Sequence, residues 1–143
     1  MRHAVEHRRA PDTAIRLALR IVAFGLGVFF LAMSLNKIAW FGDPDVLAQR
    51  FQRWLPMASP YARIVPVAEF CTAMAMLSGV FTNVAAGAAL FMILNFHLAT
   101  SAFSSPEFLR DGTGPPMIAA LIALALAGRD LPFSARASKR REQ

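Results

Sequence analysis

The chain has 143 residues, of which 56% are hydrophobic and 17% charged, with a formal net charge of +6. The apolar share exceeds the roughly 45–50% of soluble domains, and so little charge in so apolar a chain excludes a disordered protein. The single cysteine, Cys71, excludes an internal disulfide, a CxxC redox motif and a cysteine-rich metal site.

The N-terminal stretch carries Arg2, Arg8, Arg9, Arg16 and Arg20, and the C-terminal stretch carries Arg129, Arg136, Lys139, Arg140 and Arg141. The middle is nearly free of charge. This two-ended distribution fits flanks that face anionic lipid rather than a nucleic-acid-binding surface. Residues 1–14 and 131–143 read as basic cytoplasmic tails around a single membrane domain, 15–130.

Span one is expected from about Ile15 to Trp40, because roughly 20 apolar residues in a helix cross a bilayer. Trp40 and Phe41 supply an aromatic stop at the interface. The basic leader, with Ala32 and Ser34 spaced as at a cleavage site, also resembles a signal peptide. The three apolar segments that follow favour a retained span, which completes an even-numbered bundle. Phe24, Phe29 and Phe30 read as lipid-facing bulk, and Gly25 and Gly27 as points of close helix approach.

Asp43 to Pro56 is amphipathic, with Asp43 as an N-cap and Val46, Leu47, Arg50, Phe51 and Trp54 on its pattern. We expect a short helix along the interface, with Phe51 and Trp54 among the headgroups. Span two follows from about Tyr61 to Phe81 and span three from about Thr82 to Phe103. The very short link, Gly79 to Asn83, makes them a tight helical hairpin. The small residues Ala85 to Ala89 allow close packing. Ser104 to Gly114, with Pro106, Glu107, Arg110 and Asp111, reads as a solvated loop, and span four runs from about Pro115 to Gly128.

The fold class is therefore all-α, an integral membrane four-helix bundle with an interfacial amphipathic helix between spans one and two. The strongly basic ends put both termini on the cytoplasmic side of the membrane.

Ionisable groups inside a span are costly, roughly 2.5–3.5 kcal/mol on insertion scales, and by default point to function. Here they are Lys37, Glu69 and His97, accompanied by Asn36, Asn95 and Thr72. Glu69 lies eight residues into span two, about 12 Å deep, and His97 about six residues from the end of span three, about 9 Å deep. Lys37 lies near the end of span one, so all three fall in one leaflet. Asn95 and His97 are about 200° apart around their helix and cannot share a site. His97 is the favoured member, with Thr100 and Ser101 on its side, and Thr72 shares the face of Glu69.

In the structural reading, Lys37 and Glu69 form an ion pair and His97 bonds a neighbouring helix. In the functional reading, Lys37, Glu69, His97, Asn36 and Thr72 form an intramembrane polar site. Glu69 and His97 then carry protons, and Lys37 holds Glu69 ionised or binds a carbonyl. Those properties suit a quinone headgroup. Cys71, two residues from Glu69, faces elsewhere and reads as a small apolar filler. His3 and His7 lack further ligands, so no metal is expected. No cofactor motif is visible.

Several motifs, taken in order, carry a family resemblance. They are Phe30-Leu-Ala-Met-Ser-Leu-Asn-Lys-Ile38, Val67-Ala-Glu69-Phe, Met76-Leu-Ser-Gly79-Val-Phe-Thr-Asn-Val-Ala-Ala86, the polar stretch near His97, and Gly128-Arg129-Asp130. Together they resemble the DoxX family of small bacterial membrane proteins over about Arg16 to Asp130. Thr82-Asn83 departs from it where many relatives carry a basic residue, which weakens any anion contact there. The resemblance implies a four-helix membrane protein linked to redox partners, since the family is named for a subunit of a thiosulfate:quinone oxidoreductase. Any enzymatic role would be that of an accessory subunit. The competing readings are a scaffold or assembly factor, which presents the Asp43–Pro56 segment and the tails to partners, and a small-solute transporter. The lack of repeats disfavours the transporter. The partners expected are lipid and a redox protein, with no nucleic acid, and the small-residue faces leave homo-oligomerisation open.

Overall fold

The computed structural model describes residues 9–41, 58–110 and 112–131. Within them four α-helices follow one another and no strand occurs: α1 (Arg9–Phe41), α2 (Ala58–Ser78), α3 (Thr82–Ala99) and α4 (Pro115–Ala127). Short 3-10 turns at Ala102–Ser104 and Pro106–Leu109 link α3 to α4, and a third, Gly128–Asp130, extends α4. The Asp43–Pro56 segment with Phe51 and Trp54, the outer parts of both tails, and Asp111 lie outside the described residues.

Two helices are long and apolar enough to cross a bilayer, over Thr13–Ile38 and Thr82–Ala99. The apolar parts of the other two, Ile64–Ser78 and Pro115–Ala127, are shorter. At 1.5 Å per residue, α4 is roughly 20 Å long, against a hydrocarbon core of about 30 Å.

The helices pack mainly along chain order, α1 against α2, α2 against α3 and α3 against α4. Between helices in lipid there is little hydrophobic driving force, so close packing and interhelical hydrogen bonds carry the association. The seam uses small residues accordingly: Ala23, Ala73, Ala86 and Ala89 are fully buried, with Phe30, Met76, Leu121 and Leu124 filling the space between helices. Phe30 is thus core rather than lipid-facing, because it lies on the α2 side of α1 and meets Phe29 edge-on at 5.6 Å. Phe24 does face outward.

Gly27 explains how closely α1 and α2 approach. A Cβ there would lie 2.9 Å from Leu77 Cγ and 3.2 Å from its backbone nitrogen. Gly25, two residues earlier, turns to the opposite side and has nothing within 4 Å, so it takes no part in that contact.

The α2–α3 hairpin is as tight as its sequence implies. Gly79, at φ 71°, supplies the left-handed residue that ends α2, where a side chain would be strained. Phe81, at φ 54°, precedes α3. The last carbonyls of α2 have no partner within their own helix. Arg20 from α1 supplies one: Nη1 donates to the Met76 carbonyl and Nη2 to the Leu77 carbonyl, both at 2.6 Å. A cation at a helix C-terminus also opposes the negative end of the helix dipole. Arg20 therefore ties α1 to the end of α2 and is more than a basic flank.

Candidate functional site

Fifteen to twenty ångströms along the α1–α2 seam by helix rise from that anchor, a second polar contact joins the same helices. Ser34 Oγ donates to the Pro66 carbonyl at 2.8 Å, and Ser34 is completely buried. Pro66 lies inside α2 and contributes no N–H to the helix. Ser34 does not replace that missing N–H, whose carbonyl partner lies four residues earlier; it adds an interhelical bond at the Pro66 carbonyl.

Ser34 and Pro66 fix the register from which the ionic pair follows. Lys37 lies three residues further along α1, and Glu69 three residues further along α2. The helices are antiparallel, so the two α-carbons move apart by roughly 9 Å along the axis. Helical side chains lean toward their own N-terminus. On antiparallel helices that brings the two residues toward each other, and Lys37 has the longer stem. Lys37 Nζ donates to Glu69 Oε1 in a salt bridge with side-chain exposures of only 14% and 10%.

This bridge satisfies half of the carboxylate. Glu69 Oε2 is buried and has no hydrogen-bond partner. Thr72, one turn along the same face, is also buried. Asn36 is exposed, about 100° around α1 from Lys37, and the structure does not bring it to the pair. Cys71 is exposed on the outer side of α2, so it points away from Glu69 as expected but fills no space in the core.

His97 is held separately, at the end of α3. The residue is 2% exposed, and Nε2 lies 2.9 Å from the Thr113 carbonyl oxygen. A carbonyl only accepts, so the shared proton is on Nε2. The second ring nitrogen, Nδ1, is buried without a partner. Around the ring stand Phe96, Phe103 and Phe108, with ring centroids at 5.9, 5.6 and 5.1 Å. Neither Lys37 nor Glu69 hydrogen-bonds His97. Among these groups the structure joins Lys37 to Glu69, and sets His97 in its own aromatic surround.

The link over 104–114 is largely exposed, as its composition implies, and two 3-10 turns at its start add order to it. Ser101 turns the chain at φ 54°, and Ser105 Oγ accepts from Glu107 N at 3.2 Å to start the second 3-10 turn with Pro106 in its first position. Those two turns present Phe103 and Phe108 to each other at 4.8 Å and to His97. The Ser-Pro-Glu start signal was available in the sequence. Thr100 and Ser101 do not join His97 as side-chain partners. Thr100 Oγ1 bonds back to the Phe96 and His97 carbonyls at 2.9 and 3.4 Å, and Ser101 is exposed. Asn95 likewise bonds back, to the Phe91 carbonyl at 2.8 Å, which agrees with its separation from His97. Among the described residues no group of three or more His, Cys, Asp or Glu could hold a metal ion.

Against known families, the DoxX profile matches residues 15–102, more than half of the chain. The chain belongs to the DoxX family. The matched stretch covers α1 from Ile15 onward, all of α2 and α3, and therefore Lys37, Glu69 and His97. No curated relative and no solved structure gives a significant match to this DoxX protein.

Proposed function

We propose that this DoxX protein is a redox-linked subunit of a bacterial inner membrane, with both termini cytoplasmic, that binds a quinone-type headgroup beside Lys37 and Glu69 and docks an oxidoreductase partner. The observation that carries this reading is the half-satisfied carboxylate: Glu69 is 7% exposed, yet Oε2 has no partner. A buried, unpaired acceptor in apolar surroundings is costly, and a polar headgroup would supply the missing bond. Lys37 has three N–H donors and uses one on Glu69, so a headgroup oxygen can accept from it. The chain carries no visible cofactor motif, so electrons would have to reach the headgroup from a partner protein.

A non-enzymatic scaffold is the competing reading. It is favoured by the mutual pairing of Lys37 and Glu69, which also fastens α1 to α2. Photolabelling separates the two. A photoreactive benzoquinone should label peptides containing Lys37 or Glu69, and excess unlabelled quinone should prevent it. Label spread over the lipid-facing residues without competition would contradict quinone binding and favour the scaffold.

A further inference from the structure

The polarity of the unmet hydrogen bonds narrows the ligand. Three buried side-chain atoms of the described residues lack partners: Glu69 Oε2, Thr82 Oγ1 and His97 Nδ1. The threonine hydroxyl can donate or accept, but the other two atoms have one role each. Lys37 Nζ bonds the opposite oxygen of Glu69, and a carboxylate facing an ammonium offers only lone pairs. At His97 the Thr113 carbonyl fixes the ring proton on Nε2, so in the neutral ring Nδ1 is a bare lone pair. Both residues are more than nine-tenths buried, at 7% and 2% exposure. Of the two, Glu69 lies beside Lys37 at the proposed headgroup site and needs a donor there, whereas His97 stands apart in its aromatic surround.

A quinone presents two carbonyls, which are acceptors. Its reduced form, a quinol, presents two phenolic O–H groups. One such O–H can donate to Glu69 Oε2 while its oxygen accepts from Lys37. We infer that this site takes the hydroxyl-bearing, reduced headgroup in preference to the dicarbonyl. The inference rests on the quinone-type reading above and concerns binding alone.

The test compares a short-chain benzoquinol with the matching benzoquinone, each titrated without oxygen into the full chain in lipid nanodiscs. One net hydrogen bond is worth roughly a factor of ten in affinity at the upper end of its usual range, so the wild type should bind the quinol about tenfold more tightly. Glu69→Gln reverses the polarity at one position. Lys37 can only donate, so the amide oxygen turns to it and the amide N–H groups occupy the place of Oε2. The quinol preference should then fall by about tenfold. Equal or tighter binding of the dicarbonyl by the wild type would overturn this inference and leave the quinone-type reading in place, whereas binding of neither form would overturn both. The wild-type comparison needs no substitution, so a variant that loses helicity by circular dichroism leaves the test intact.

Discussion

Lys37 and Glu69 are worth most to each other when both are present. Taking a charge out of water costs several kcal/mol, and the partner returns much of it. Removing one partner leaves the other buried and uncompensated. We predict that Lys37→Met destabilises the protein by about 3–5 kcal/mol, whereas Lys37→Met with Glu69→Leu recovers most of the loss because no charge remains. Reversible unfolding in mixed micelles measures both, and equal losses in the single and double variants would show that side-chain packing matters more than charge. The sequence marks Lys37, Glu69 and His97 as candidates through the cost of charge in a span. It does not say which of them meet, because that depends on helix register. The register comes from Ser34 and Pro66, and Ser34 shares the face of Lys37 at a three-residue spacing.

Helix against helix, the deciding quantity is how closely the backbones approach. Gly27 faces the backbone of Leu77, and Gly25 faces open space. Both glycines look equivalent in the sequence, since small residues two apart on a helix are told apart only by where the neighbouring helix lies. A methyl group at position 27 must displace Leu77, and overpacking of this kind costs about 1–3 kcal/mol. At position 25 the same methyl meets nothing, and alanine is the better helix former by up to about 1 kcal/mol. Gly27→Ala should therefore lower the melting temperature and Gly25→Ala should leave it unchanged or raise it; the reverse order in a thermal scan would place the α1–α2 contact elsewhere. The 3-10 turns that hold Phe103 and Phe108 against His97 were less legible than the long helices, because their polar composition resembles that of a solvated loop and their signal spans only a few residues.

For the molecule as a whole, the apolar lengths and the hairpin turn made the helical bundle legible from composition and spacing alone. The α1–α2 fastening by Arg20 was not, because an arginine near a span end reads first as a lipid-facing flank, and its target carbonyls lie more than 50 residues away. On the proposed reading, four crossings put both ends on the cytoplasmic face of the membrane. Single cysteines introduced by Val5→Cys and Ser138→Cys in a Cys71→Ser background should both react with an impermeant maleimide only from the cytoplasmic side, and labelling from opposite sides would require an odd number of crossings.

The central claim, that the Lys37–Glu69 seam holds a polar headgroup, is tested most directly by native mass spectrometry of the protein extracted from its own membrane in mild detergent. The wild type should carry a quinone-type lipid at stoichiometric level, and the Lys37→Met, Glu69→Leu double variant should retain its helicity but lose the lipid. Equal retention by both proteins, or a bare wild type that takes up no added quinone or quinol, would contradict it.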